Sequence, residues 1–230
     1  MRKFYKTAEA AAVDGGHAVL LDGKPVRTPL GRGLLLPTRA LAEGVAAEWA
    51  AQGAELKPET MPLTRLANTM IDKAAGPDRT GMNAELLKYG GSDLVCYFAA
   101  RPADLVRRQE ELWRPLLGWM EEKHGVAFDA ASGIQYRHQP PEALEKLRVL
   151  IEGLDAGAFT AVQAAAATAG SVVIAFALLE GKLTPDEAHA AAFVDEVHQL
   201  KAWGDDAEAR RLLEAKRGEL ADIARFLKLL

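Results

Sequence analysis

A stretch of nineteen residues without a charge, from Ala161 to Leu179, limits what this chain can fold into more than any other feature. Its length approaches the roughly 20 apolar residues that an α-helix needs to cross a bilayer. The stretch is rich in alanine, which drives membrane insertion only weakly, and Gln163, Thr168 and Ser171 interrupt it. It therefore predicts a helix buried on all sides in a helical domain, without membrane insertion.

The first quarter of the chain has the pattern of a small sheet. In residues 17–29, two short apolar runs flank the pair Asp22-Gly23, which is a strong signal for a β-hairpin. Residues 34–37 predict a third strand, and Thr38 is placed to cap a helix that follows. We therefore expect residues 1–57 to form a small β-rich domain with one helix.

The rest of the chain has a helical pattern. Apolar side chains recur every three or four positions in residues 61–75. A later helix is predicted from Pro185 to Trp203, because Thr184 and Glu187 have the spacing of a capping box. We expect residues 58–230 to form an α-helical domain. The predicted fold class is α+β, with a small β-rich N-terminal domain followed by a larger, mainly α-helical C-terminal domain.

Charge and cysteine content narrow the classes of function. The formal net charge of -4 gives no reason to expect a nucleic acid partner. Cys96 is the single cysteine, which excludes an internal disulfide and fits a reducing compartment. The first residues lack the apolar core of a signal peptide. We therefore expect a protein of the bacterial cytoplasm.

The sequence carries no motif of common enzyme chemistry. It has neither the Gly-Lys-Ser/Thr ending of a phosphate-binding loop nor a G-x-G-x-x-G. Ser171 lacks the glycines of a nucleophile elbow, and Cys96 lies in an apolar run, so neither is predicted to be a nucleophile. We expect no cofactor and no catalytic residue.

A di-metal carboxylate enzyme is the alternative that the residues leave open. Helical bundles of that class use Glu-x-x-His motifs, and the pairs Glu121/His124 and Asp195/His198 have the same spacing. His124, however, directly precedes Gly125 at a predicted helix end, where an imidazole interacts favourably with the helix dipole. The metal enzyme therefore stays an alternative to a binding function, without assigned metal ligands.

Residues 193–206, FVDEVHQLKAWGDD, carry an unusual helix surface. On a helical wheel, Asp195, Gln199 and Trp203 form a stripe nearly opposite the apolar core face, and Glu196 lies between the two. In one interpretation the stripe packs on another helix, and Asp195 and Gln199 bond internal donors. In the other it is partly open and binds a partner protein.

Several segments of the chain, taken in order, resemble a known family. They are RKFYK, VLLDGKPVRTP, LLLPTRALAEGVAAEW, MPLTRLANTMID, YGGSDLVCYFA, RQEELWRPLLGW and DEVHQLKAWGDDAEA. With these segments the chain is similar to the assembly chaperones that bind the α subunit of the F1 sector of F-type ATP synthase. The resemblance is to the bacterial branch.

The resemblance implies a chaperone and no catalysis. The protein would bind the unassembled α subunit and shield its β-facing interface until the β subunit replaces it. The family's fold matches the division given above, and its eukaryotic relatives work in the mitochondrial matrix. We expect a monomer when the protein is free. The partner-binding residues that the resemblance implies, led by Glu196, are Glu196, Asp195, Gln199, Trp203, Arg65 and Asn68.

Overall fold

The computed structural model describes residues 1–133, 136–204 and 206–230 of the 230-residue chain. A small antiparallel sheet comes first and helices form most of the remainder, which confirms the predicted α+β class. The strands of the described residues are β1 (Ala8–Val13), β2 (Gly16–Leu21), β3 (Lys24–Pro25), β4 (Leu35–Leu36), β5 (Tyr97–Phe98) and β6 (Ala131–Ser132). The α-helices are α1 (Arg39–Ala50), α2 (Pro62–Thr69), α3 (Arg79–Gly91), α4 (Ala103–His124), α5 (Pro141–Gly153), α6 (Ala156–Ala169), α7 (Val172–Leu179), α8 (Pro185–Ala192), α9 (Val194–Trp203) and α10 (Ala207–Leu229).

The N-terminal sheet is built around β2. Strands β1, β3 and β4 all pair with it in antiparallel orientation. The predicted hairpin is confirmed: Asp22 and Gly23 have φ of +48° and +78°, the left-handed values that a two-residue type I′ turn requires. The predicted third strand is confirmed as β4.

Strand β1 is not evident in the sequence. Its residues, AEAAAV, are mostly alanine, which has a low preference for strands. The strand forms because it pairs with β2 over its whole length, from Ala8 opposite Leu21 to Val13 opposite Gly16. Helix α1 packs against both strands. Long-range pairing therefore outweighs the local preference.

The chain divides into two compact units. The first contains Met1–Thr80, Asp155–Ala161 and Asp222–Leu230, and the second contains Gly81–Leu154 and Val162–Ala221. Helices α6 and α10 each contribute residues to both units. The domain ranges predicted from the sequence, residues 1–57 and 58–230, remain a prediction.

Glu48 joins two helices of the first unit. Its buried side chain, on α1, accepts hydrogen bonds from the backbone N–H groups of Leu63 and Thr64 at 2.7 and 2.8 Å. These donors belong to the first turn of α2 and have no partner within that helix. The carboxylate also lies at the positive end of the α2 dipole. Glu48 therefore caps α2 from a neighbouring helix.

Asp72 has a similar structural role in the same unit. It lies in a π-helical turn, Met70–Ala74, that continues α2, and its side chain is buried. Its two oxygens accept hydrogen bonds from the Thr28 hydroxyl at 2.6 Å and from the Leu30 N–H at 3.1 Å. The loop after the β-hairpin is thus tied to this helix by a carboxylate.

The charge-free segment forms two helices rather than the single one predicted. Helix α6 ends at Ala169, Gly170 has a left-handed φ of +68°, and Ser171 caps α7. Helix α7 is buried over nearly its whole length, as predicted, whereas Ala167 on α6 is exposed. The prediction of one helix is wrong because polar caps start a new helix at Ser171. Among the described residues, no helix has both the length and the apolar character needed to cross a membrane.

The helix predicted from Pro185 to Trp203 also forms as two. The capping box of Thr184 and Glu187 is present at the start of α8, as predicted. Phe193, with φ -118° and ψ 27°, then separates α8 from α9. In a continuous helix the Ala191 carbonyl would accept from the N–H of residue 195, whereas here it accepts the indole N–H of Trp113 at 2.8 Å. The prediction of one continuous helix is therefore wrong.

Candidate functional site

Gly204 and Asp206 define the end of α9 and the start of α10. Gly204 ends α9 with φ of +103°, a value that suits glycine. Asp206 then caps α10, since its Oδ1 accepts from the N–H groups of Glu208 and Ala209 at 2.8 and 3.3 Å. This cap fixes the first turn of α10 next to the end of α9, within the second unit.

A groove of about 390 Å³ lies between α9 and α10. Its polar lining residues include Glu196 and Gln199 on α9, both exposed, with Lys216 on α10. Apolar side chains supply much of the remaining wall, and Leu212 is 61% exposed. These apolar residues are Phe193, Leu200, Ala209, Leu212 and Leu213. The groove therefore combines apolar surface with an acid and an amide.

The charged side chains of the groove differ in what they already bind. Lys216 lies 2.9 Å from a carboxylate oxygen of Glu219. Asp206 accepts the two backbone N–H groups at the start of α10. Glu196, in contrast, makes no hydrogen bond or ion pair with any residue that the structure describes. Among the charged residues that line the groove, Glu196 is thus the one without such a contact in the described part of the chain.

Asp195, the neighbour of Glu196, binds inside the second unit. It is half-buried, and its Oδ1 accepts a hydrogen bond from Gln109 Nε2 at 2.6 Å. Gln109 is itself buried on α4, and its Oε1 accepts from the Ala99 N–H at 2.7 Å. Asp195 thus matches the interpretation in which a polar residue satisfies an internal donor, whereas Glu196 matches the exposed one.

The helical wheel agrees with the structure at Glu196. It grouped Asp195 and Gln199 on a stripe and set Glu196 between that stripe and the core face. In the structure Glu196 lies near the middle of the groove-facing sector, with Gln199 on one side and Leu200 on the other. The helix Val194–Trp203 includes Trp203, but the side chain of this residue lies outside the described part of the structure.

The two candidate residues from the first unit lie on α2. Arg65 is exposed. Asn68 is half-buried, and its Oδ1 is buried without a hydrogen-bond partner among the described residues. Neither residue belongs to the lining of the groove. A role in partner binding stays a prediction for both.

Both histidines of the metal alternative lie beside carboxylates outside the proposed metal motifs. His124 Nε2 lies 2.9 Å from a carboxylate oxygen of Glu180. His198 Nδ1 lies 3.7 Å from a carboxylate oxygen of Asp104, at a second cleft between α4 and α9. In the described parts of the chain, no three His, Cys, Asp or Glu side chains are grouped so that they could hold a metal ion. The geometry thus gives no support to a di-metal site.

The α10 side of the groove was missed by sequence reasoning. The sequence shows Leu212 and Leu213 at helical spacing with later leucines, which suggests core residues alone. Adjacent residues point about 100° apart on a helix, so two neighbouring leucines cover a wide sector. The adjacent pair of leucines was therefore the signal in the sequence that one of them faces outward.

An exposed apolar groove is typical of a surface that binds another protein. The comparisons with known proteins agree. A family model described as ATP12 chaperone protein matches residues 2–121. The chain is also 23% identical to the mitochondrial protein atp12 of Schizosaccharomyces pombe over 222 residues, which are 92% of this chain and 76% of that protein.

Solved structures extend the similarity over nearly the whole chain. Atp12 from Paracoccus denitrificans is 37% identical with a TM-score of 0.91, and the match covers 99% of this chain and 97% of that one. A single-residue mutant of the same protein gives the same values. A candidate chaperone from Agrobacterium tumefaciens is 37% identical with a TM-score of 0.88, covering 98% of this chain and 86% of that one.

The chain belongs to the ATP12 chaperone family. The members of this family are non-enzymatic factors for the assembly of F1-ATPase. The family resemblance found in the sequence is thereby confirmed, and the di-metal enzyme is set aside.

Proposed function

We propose that this chaperone binds the unassembled α subunit of F1 through the surface of α9. The complex shields the interface of α that later faces the β subunit, until β replaces the chaperone. The observation that carries the proposal is the exposed carboxylate of Glu196, which is unpaired among the described residues and lines an apolar groove. Gln199 lies beside it and adds a hydrogen-bonding amide.

The other predicted residues have different parts in the proposal. Asp195 acts as a positioning residue, because its bond to Gln109 fixes the rotation of α9. Trp203 adds apolar contact area near the end of the helix, as aromatic residues do at many interfaces. Arg65 and Asn68 form a further contact for the same partner.

The physical chemistry of an unassembled subunit supports this role. A free subunit interface exposes a large apolar patch, which is prone to aggregation. A chaperone must cover that patch and yet release it to a better partner, which favours a partly polar surface over a core-like one. Competition by the β subunit supplies the release, so no nucleotide is needed.

The proposal also covers the location, the oligomeric state and the excluded partners of the chaperone. We place the chaperone in the bacterial cytoplasm, as a monomer when it is free. Its relative in Schizosaccharomyces pombe is described as mitochondrial. Neither nucleic acid nor a membrane is a partner.

A charge reversal at Glu196 tests the proposed function. Glu196 is exposed, so Glu196→Lys should leave the fold intact while it removes the free carboxylate and weakens capture of the α subunit by about tenfold or more. Capture is measured by pull-down of purified α subunit onto the immobilised chaperone. The matched control is Glu122→Lys, the same change at an exposed position of α4 away from the groove.

Two results would contradict the proposal. One is a wild-type chaperone that does not capture the α subunit. The other is a folded Glu196→Lys variant that captures as much α subunit as the Glu122→Lys control. Asp195→Asn should be milder than Glu196→Lys, because an asparagine oxygen can still accept the Gln109 bond.

A further inference from the structure

The wall of the groove that α10 provides contains adjacent apolar side chains that are exposed or half-buried. Leu212 is 61% exposed, and Leu213 and Ala209 beside it are half-buried. On the α9 side Leu200 is also half-buried. Apolar side chains grouped at one concave place indicate a surface that is covered in a complex.

The charges of the groove favour a cation in the covering segment. Asp206 and Lys216 already have partners within the chain. Glu196 has none among the described residues, and the apolar residues Phe193 and Leu200 line the same groove. A carboxylate that becomes covered without a cation or a donor is strongly destabilising. An arginine or lysine meets this need best, because it balances the negative charge as well as donating hydrogen bonds.

We propose that the groove between α9 and α10 receives one amphipathic segment of the unassembled α subunit. The segment packs apolar side chains against Leu212 and Leu200, and it places an arginine or lysine against Glu196. Leu212 is then a specificity-determining residue of the chaperone. This inference rests on the proposed function, since it names the part of the α subunit that the same site binds.

The dimensions and charges decide between a segment and other occupants. A volume of about 390 Å³ has room for a few side chains of one segment. Helices that dock in grooves present such side chains at every third or fourth position. Two copies of this chain that met groove to groove would fit less well, because the lysine of each groove is already paired with Glu219.

The first experiment measures the affinity of purified α subunit for Leu212→Asp. The expected result is a Kd at least about tenfold higher than for wild type, because a central apolar contact is replaced by a second acid. The matched control is Val149→Asp, at a residue of α5 that is 55% exposed and outside the groove, and its Kd should stay within about twofold. Circular dichroism verifies that both variants fold.

The outcomes separate this inference from the proposed function. If wild type binds the α subunit and Leu212→Asp binds it equally well, the groove inference is overturned and the proposed function stands. If wild type does not bind, both are overturned. Gel filtration adds a third outcome: a wild-type dimer that Leu212→Asp dissociates would make a second copy the occupant and overturn the inference.

A cross-linking experiment identifies the segment. Cys96 is fully buried, so Leu212→Cys supplies an accessible thiol for a photoreactive maleimide. In the complex with the α subunit, mass spectrometry should map the cross-link to one stretch that combines apolar residues with an arginine or lysine. A cross-link to an acidic or wholly polar stretch would overturn the inference. So would a cross-link from the label at Val149→Cys together with none from the label at Leu212→Cys.

Discussion

Two aspartates show how their surroundings set the behaviour of a carboxyl group. Asp93 is fully buried, and burial raises its pKa to about 6, although the backbone N–H groups of Val172, Val173 and Val95 donate to it. Asp22 lies exposed in the hairpin turn, where the backbone N–H groups of Thr7 and Lys6 hold its pKa below the ordinary value. Ionisation of the buried Asp93 therefore destabilises the folded state, whereas ionisation of the exposed Asp22 stabilises it.

The residue-scale prediction concerns the pH dependence of stability. A pKa near 6 against the ordinary 3.8 means that the folded state binds the Asp93 proton more tightly than the unfolded state. The stability that this proton contributes is present below pH 3.8 and is lost as the pH rises through 6, by up to roughly 3 kcal/mol. Urea unfolding of wild type and Asp93→Asn measures this contribution to the free energy of unfolding. The free energy of unfolding of wild type should rise relative to that of the variant as the pH falls from 7 to 5.

Asp22→Asn provides the control of opposite sign. The stabilisation from the ionised Asp22 is present above its ordinary pKa and is lost as the pH falls through the lowered pKa of the folded state. At acid pH the free energy of unfolding of wild type should therefore fall relative to that of Asp22→Asn. A difference between wild type and Asp93→Asn that stays constant from pH 7 to 5 would contradict the prediction.

At the scale of elements, the beginnings and ends of helices shape the candidate site. The break at Phe193 marks the start of α9, and Asp206 caps the start of α10. Both features act on backbone groups rather than on apolar packing. The groove therefore depends on helix termini, whose polar groups need partners.

The element-scale prediction concerns the cap of α10. Asp206→Ala removes the acceptor for the N–H groups of Glu208 and Ala209, which should cost about 1 kcal/mol. Hydrogen exchange should speed up in the first turn of α10, while α5 in the same unit keeps its protection. Asp206→Asn is the control, since asparagine caps nearly as well as aspartate. Equal exchange in the alanine variant and wild type would rule out this role of the cap.

At the scale of the whole molecule, the chaperone and the β subunit compete for the α subunit under the proposed function. The prediction is that adding β subunit to the purified chaperone–α complex releases the chaperone in proportion to the β added. Gel filtration measures the free chaperone, with serum albumin at the same concentration as the control. A stable complex of all three proteins would show that the chaperone covers another face of α.

The family, the fold class and the local signals of the chain followed from the sequence. The Asp22-Gly23 turn, the Thr38 cap and the Thr184–Glu187 capping box were predicted because each depends on residues only a few positions apart. The exposed position of Glu196 agrees with the weight that the family resemblance gave to this residue. Interactions of this kind can be predicted from the sequence alone, because both partners lie within a few positions of each other.

The tertiary structure decided what depends on distant partners. Strand β1 exists because β2 pairs with it, and α8 ends where Trp113 takes the carbonyl of Ala191. Gln109 binds Asp195 and so separates its role from that of Glu196, while α10 supplies the second wall of the groove. Each of these outcomes needs residues far apart in sequence to meet. A helical wheel or a hydrophobic periodicity lacks that information, because it describes one helix or strand without the elements that pack against it.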